Sequence, residues 1–323
     1  MRGEQPLYIL QISDLHIAHD THIGTLKEKL NSLVTMLKQN ISEDSSIACC
    51  ILGDIVDQGD ASCYQWAEEL ITEFLEKMQS YLKNGQLKLF MVPGNHDLCN
   101  NGNGEKTLDC FNKFLGSLHS SCSLYSDQHM IQECDFCGYH FISLSSVKTQ
   151  NHKYGELAYD QLIKCHTPPN TVMLVHHSLI SSDNDDDAVI RNGYALQKFL
   201  EEHSIIALLH GHTHGCKRYT VGRDCQVIGV GPMFKSVPDM AETLSLCAFL
   251  LHDLWIEVPL HRKSAHFDKL YDNRQTEDRT LVLDIFKIPG VDAADLRRRM
   301  LLYVLFLNFI IHITISRRLD NNG

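Results

Sequence analysis

The chain has 323 residues, 44% hydrophobic and 21% charged, which is the balance of a folded protein with one large or two modest domains. That excludes collagen-like, low-complexity and wholly disordered chains. With 29 Lys and Arg against 40 Asp and Glu the net charge is −11, so stable nucleic-acid binding is not expected, while 19 histidines direct attention to metal chemistry.

Residues 1–6 carry none of the basic, apolar and cleavage regions of an export signal, so a cytoplasmic protein with reduced thiols is expected. Residues 7–13 read as a buried strand and 26–39 as a helix with Leu30, Leu33, Val34 and Leu37 on one face. A second buried strand, 47–52, contains Cys49 and Cys50, and a helix follows over 64–81. Residues 87–92 form a third strand. The segment Cys134-Asp135-Phe136-Cys137 has zinc or redox spacing, but it lacks a partner pair and is read as two buried or half-buried thiols at a hairpin. Strands over 141–144, 171–175 and 205–209 alternate with helices near 157–164 and 195–202, which gives an α/β architecture. Beyond residue 215 come strands 216–221, 226–230, 244–251 and 255–260, the last two joined by a turn at His252-Asp253.

A catalytic domain over 1–262 is therefore expected, followed by an extension over 263–323. Residues 264–278 read as a polar linker, and Asp292 and Asp295 suit the start of a final helix. The apolar stretch 300–316 has basic flanks and borderline length for a membrane span. A helix buried in the protein or facing a partner is the preferred reading, with a membrane-associated tail as its competitor. Oligomeric state is not legible.

Five short segments stand where apolar runs end: Asp14-Leu15-His16, Gly53-Asp54-Ile55-Val56-Asp57, Gly94-Asn95-His96-Asp97, His176-His177 and Gly211-His212-Thr213-His214. Ligands collect beyond the carboxyl ends of strands in open α/β sheets. On an extended segment, side chains two apart share a side, so Asp14 and His16 can converge on one ion, as can His212 and His214. Carboxylate and imidazole without thiolate suit Mn, Fe or Zn. Asp54 is the best candidate to bridge two cations, an arrangement that cleaves phosphoesters. Asp-x-His and His-His alone are weak evidence and the Gly-Asn-His-Asp and Gly-His-Thr-His turns moderate, but all five in order are not an accident.

These motifs resemble the calcineurin-like metallophosphoesterase superfamily over residues 7–260. The resemblance implies a four-layer α/β/β/α sandwich with two mixed sheets. It implies one metal ion held by Asp14, His16, Asp54 and His214, and another held by Asp54, Asn95, His176 and His212, with His176 preferred to His177. By the same resemblance His96 is a general acid rather than a ligand, Asp97 orients its ring, and Asp57 bonds to loop backbone. The nucleophile is then water held by the metals. The segment Tyr154-Gly155-Glu156-Leu157 followed by Asp160-Gln161-Leu162 is similar to an element of class III cyclic nucleotide phosphodiesterases. A small phosphodiester substrate, such as a 3′,5′-cyclic nucleotide, is the resulting expectation. A nuclease of the repair-exonuclease type and a metal-stabilised, membrane-tethered interaction module without turnover are the alternatives. The acidic run Asp183–Asp187 departs from the family pattern and is read as a solvated loop.

Overall fold

The computed structural model describes residues 7–118, 123–147, 154–181, 189–214, 217–223, 225–232, 244–250 and 254–260. The linker, the final helix with its apolar stretch, the turn at 252–253 and the acidic run at 183–187 lie outside the described residues. Among the described residues, no helix is long and apolar enough to cross a membrane.

Two mixed sheets form the centre. The first takes β1 (Leu7–Ile12), β2 (Ser46–Ile51), β3 (Leu87–Met91), β12 (Leu244–Leu250) and β13 (Leu254–Leu260) in the order β13-β12-β1-β2-β3. The strands β1, β2 and β3 run parallel, and the β12–β13 hairpin adds antiparallel to β1. The second takes β6 (Ile131–Phe136), β7 (Tyr139–Leu144), β8 (Thr171–Val175), β9 (Ile205–His210), β10 (Lys217–Val221) and β11 (Cys225–Gly229) in the order β10-β11-β9-β8-β7-β6. A small two-stranded ribbon, β4 (Cys99–Asn100) with β5 (Lys106–Thr107), stands apart. The helices are α1 (Ile23–Asn40), α2 (Ala61–Tyr81), α3 (Asp109–Ser117), the single turn α4 (Tyr159–Leu162) and α5 (Gly193–Glu202).

Alternation along the strands sorts side chains into layers. Leu7 and Ile9, Ala48 and Cys50, and Phe90 and Val92 meet Phe141, Val172, Leu174, Ala207 and Leu209 of the other sheet. The intervening residues Leu10, Cys49, Ile51, Leu89 and Met91 pack outward on α1, α2 and α3. On the far side Ile142, Met173, Val175 and Leu208 pack on Leu196, Phe199 and Leu200 of α5. This is the four-layer sandwich. Burial on both faces is why the central strands read as unbroken apolar runs. Phe90 and Phe141 stack across the middle layer with ring centroids 4.2 Å apart; truncating either to Ala costs about 3–5 kcal/mol.

Gln11 is a buried polar residue in that layer. Its Nε2 donates to the carbonyls of His210 and Ile228, both at 3.1 Å, and ties the first sheet to the second just below the strand ends.

Several boundaries differ from the sequence expectation. Helix α2 begins three residues early because the Asp60 side chain accepts from the backbone N–H groups of Ser62 and Cys63. The helix expected near 157–164 is only the single turn α4. Helix α3 and strand β6 were not anticipated: the first is short, and the second is an edge strand whose polar residues dilute the apolar signal. The expected hairpin at Cys134–Cys137 is present, but Cys137 is exposed on the turn and Cys134 partly buried. The intervening strand holds their Cα atoms about 9–10 Å apart, too far for a disulfide.

Candidate metal centre

The loops at the carboxyl ends of β1 and β2 stay hydrogen-bonded past the strands. The backbone N–H groups of Asp14 and His16 donate to the carbonyls of Gly53 and Asp54, at 3.1 and 2.9 Å. From the second sheet, Gly211 N–H donates to the His176 carbonyl at 3.0 Å. Asp14, His16, Asp54, Asn95, His176, His212 and His214 are thereby brought to one place.

The convergence does not come from the strand pleat. Asp14, His16, Asp54, His212 and His214 all have positive φ, between 45° and 66°. Non-glycine residues seldom adopt this left-handed region, although Asn, Asp and His enter it most readily. The paired side chains do converge, but not through the extended backbone that the i and i+2 reasoning assumed. Gly94 serves a close approach, since a Cβ there would land on the Asp54 carboxylate.

Two donor groups result. In one, Asp14 Oδ1 is 3.4 Å from His214 Nε2 and 3.8 Å from His16 Nε2, and the two imidazole nitrogens are 3.2 Å apart. In the other, His176 Nε2 is 3.0 Å from Asn95 Oδ1, 3.1 Å from His212 Nδ1 and 3.3 Å from Asp54 Oδ2. Asp54 Oδ2 is also 3.7 Å from His16 Nε2, so one oxygen stands between the groups.

The carboxylates share a design. Asp54 Oδ1 accepts the His96 backbone N–H at 2.8 Å, and Asp14 Oδ2 accepts the His212 backbone N–H at 3.0 Å. Each keeps its other oxygen for the cluster, and Asp14 Oδ1 is buried without a hydrogen bond. His176 Nδ1–H donates to the Leu52 carbonyl at 2.7 Å, which turns Nε2 inward. His177 faces elsewhere: its Nδ1 meets Ser146 Oγ at 2.8 Å.

Electrostatics agree with a cation-binding cavity. Burial works against a charged Asp54, yet His176 beside it holds its carboxyl below the usual range. Burial likewise disfavours the His176 cation, but Asp54 drives that imidazole up to about 9. Burial, reinforced by His176, pushes His212 down to about 3. Facing imidazole nitrogens and an orphaned carboxylate oxygen fit divalent metal ions. Donors bound at about 2.0–2.2 Å lie some 3.0–3.5 Å apart, close to the spacings here.

His96 lies beside this cluster, 39% exposed, with its ring edge-on to His16 at 4.8 Å. Its Nδ1–H donates to Asp57 Oδ1 at 2.8 Å. This corrects the expectation that Asp97 orients the ring. Asp97 is fully buried and spends its carboxylate on the loops: Oδ1 accepts from Ile55 N–H and the Tyr64 hydroxyl, each at 2.9 Å, and Oδ2 accepts Gly94 N–H at 2.8 Å. The two acids exchange the roles that the resemblance implied. Burial first, and then the Asp54 charge, push Asp97 up to about 7. Tyr64 and Gln11 were missed in the sequence because nothing in their neighbours marks them as polar supports.

Comparison with known proteins identifies a family, relatives and similar folds. A family model described as calcineurin-like phosphoesterase matches residues 7–216. A protein of Vesicomyosocius okutanii subsp. Calyptogena okutanii (strain HA), called a probable cyclic nucleotide phosphodiesterase, is 26% identical over 219 residues, which cover 64% of this chain and 78% of that protein. Its namesake from Ruthia magnifica subsp. Calyptogena magnifica is 25% identical over 221 residues, covering 65% and 80%. Among solved structures, a dimetal phosphatase from Danio rerio is similar in fold, with a TM-score of 0.55 at 15% identity, covering 78% of this chain and 95% of that one. A purple acid phosphatase from yellow lupin (Lupinus luteus) seeds has a TM-score of 0.51 at 13% identity, covering 76% and 49%.

Proposed function

The chain belongs to the calcineurin-like phosphoesterase family of metal-dependent phosphoester hydrolases, and from that premise we propose that it hydrolyses a small phosphodiester, a 3′,5′-cyclic nucleotide, at a binuclear metal centre. The observation that carries this reading is the position of Asp54 Oδ2 between two donor groups, 3.3 Å from His176 Nε2 and 3.7 Å from His16 Nε2. Asp14, His16, His214 and Asp54 would hold one ion, and Asp54, Asn95, His176 and His212 the other. The donor set suits Mn, Fe or Zn. When bound, such a pair supplies Lewis-acid stabilisation of phosphoryl oxygens and a water made nucleophilic near neutral pH.

The chain's own groups do the rest. His96 holds a proton at Nε2 for the departing oxygen, because Asp57 fixes Nδ1–H and thereby the ring's orientation. Asp97 keeps the loops of Gly94, Ile55 and Tyr64 together, so that the His96 backbone N–H stays on Asp54. The two relatives called probable cyclic nucleotide phosphodiesterases favour the cyclic substrate. The pairing of β12 with β1 and of β13 with β12 supports a catalytic domain that takes in both strands and runs to residue 262.

The test is a substrate panel on manganese-reconstituted protein: cyclic nucleotides, nucleotide diphosphate esters, glycerophosphodiesters, phosphomonoesters and bis(p-nitrophenyl) phosphate. Cyclic nucleotide turnover that disappears in Asp54→Ala, together with loss of both ions, is expected. Turnover of bis(p-nitrophenyl) phosphate without any cyclic nucleotide hydrolysis would refute the substrate, and full activity in Asp54→Ala would refute the centre.

A further inference from the structure

A second set of metal-ligating atoms gathers away from the Asp54 cluster. His19, on the loop after His16, meets Asp60 and Cys63 at the start of α2. The His19 Nε2 atom is 3.1 Å from Asp60 Oδ2, and one donor atom from each of the three residues lies within 4.8 Å of the others. We propose that His19, Asp60 and Cys63 form a third cation site, selective for a soft divalent ion of the zinc type and independent of the Asp54-bridged pair.

The donors are arranged as a cation requires. Asp60 Oδ1 caps α2, accepting Ser62 N–H at 2.7 Å and Cys63 N–H at 3.4 Å, so only Oδ2 is left to face His19. This is the division of labour seen in Asp14 and Asp54, one oxygen on backbone and one on offer. The His19 ring stands edge-on to Trp66 with centroids 5.6 Å apart, which restrains its orientation. Cys63 is buried at 1% exposure, while His19 and Asp60 are 66% and 41% exposed, so an ion can reach the site from solvent.

The chemistry separates this site from the neighbouring cluster. Imidazole, carboxylate and thiolate together are soft enough to select zinc over manganese or magnesium. Three protein ligands with one open position is a common zinc arrangement. Bonds of about 2.0–2.3 Å at tetrahedral angles put donors some 3.3–3.8 Å apart, so with the three donor atoms within 4.8 Å of one another the sulfur has at most about 1.5 Å to close on binding. Asp60 and the thiolate bring two negative charges to the ion, and the N-terminus of α2 favours the thiolate. Burial and the Asp60 charge raise the Cys63 thiol, so the proton stays on sulfur until an ion displaces it. Binding therefore forms one metal–sulfur bond and releases one proton to solvent.

Cobalt distinguishes the sites, because neither Asp54 donor group contains sulfur. The full-length protein is saturated with Mn²⁺ and then titrated with Co²⁺, and the near-ultraviolet thiolate-to-cobalt charge-transfer absorption is recorded. One equivalent of cobalt producing that band, its bleaching by one equivalent of Zn²⁺, and parallel quenching of Trp66 fluorescence are expected. Cys63→Ser and His19→Ala each abolish the band, while His19→Ala hydrolyses bis(p-nitrophenyl) phosphate at the wild-type rate. A band that never forms, or one that survives Cys63→Ser through another thiol, overturns the proposal. Should Cys63→Ser fail to fold, His19→Ala, altered at an exposed position, decides: an undiminished band there overturns it equally.

Discussion

The exchange of roles between Asp57 and Asp97 gives the sharpest test of the centre. In Asp57→Asn the carboxylate that accepts His96 Nδ1–H at 2.8 Å becomes a neutral amide. A hydrogen bond to a charged group contributes roughly 1.5–3 kcal/mol when buried; with His96 and Asp57 39% and 35% exposed, the lower end applies. About 1.4 kcal/mol is tenfold in rate, so kcat should fall about tenfold on substrates whose leaving oxygen needs a proton. His96→Ala removes the acid itself and should cost about 10²–10⁴-fold. On bis(p-nitrophenyl) phosphate, whose phenolate departs unprotonated, both losses shrink. Metal content should be unchanged in both, because neither residue belongs to the two donor groups. The assay is steady-state kinetics on a good and a poor leaving group, with metal analysis of each sample. If Asp57→Asn left the leaving-group dependence as in wild type, the reading of Asp57 as the positioning residue for His96 would be refuted.

Three further perturbations follow from other contacts. Asp97→Asn keeps one acceptor oxygen but turns an NH₂ group toward Gly94 N–H or toward Ile55 N–H and Tyr64; a loss of about 1–3 kcal/mol is expected, read as a lower melting temperature with weakened metal retention, and unchanged thermal stability would contradict it. Gln11→Leu removes one donor from each of two buried carbonyls, of which that of His210 keeps the Val230 N–H, and should cost about 1–3 kcal/mol, together with weaker binding of the ions held between the sheets; equal metal affinity would show that the clip is dispensable. Asp60→Ala removes the cap of α2, for about 1 kcal/mol. Hydrogen bonds from Ser62 hold the Asp60 carboxyl down to about 2, below its unfolded value near 3.9. The cap's charge-dependent contribution is therefore complete above about pH 4 and is lost as the pH falls through about 2. A stability difference between wild type and Asp60→Ala that does not narrow across that interval would count against it.

Much of the fold was legible because its central strands are buried twice over. β2 and β8 have no exposed residue, so they stand out as unbroken apolar runs with turn-forming residues at their ends. Strand β6 escaped notice for the opposite reason. It is the edge of its sheet, and Gln132, Glu133 and Asp135 interrupt its apolar positions. Helix α3 did carry a signal in Phe111, Phe114 and Leu115 at helical spacing, but nine residues are few for a periodicity to establish. The start of α2 was mistaken because apolar periodicity begins at Tyr64, whereas the backbone obeys the Asp60 cap.

The residues that the structure gathers were legible in the sequence, but the backbone that gathers them was not. Residue type and position after a strand were enough to gather Asp14, His16, Asp54, His212 and His214, but the pleat that was invoked to aim them is absent. All five are left-handed, a conformation that costs a non-glycine residue on the order of 1–3 kcal/mol. Asp and His tolerate it better than branched or bulky side chains, because their short polar groups can bond locally. The ligand types and the conformation thus select each other: the side chains able to hold a cation are also those able to make the turn. Backbone N–H groups then secure one oxygen each of Asp14 and Asp54, that of the left-handed His212 and that of His96 in the helical turn Asn95–Asp97. The strain is in this way coupled to the orientation of the carboxylates. No pattern of residue types alone could convey that coupling, since Asp57 and Asp97 offer the same chemistry in the same two loops, and only the path of the backbone decides which of them meets His96.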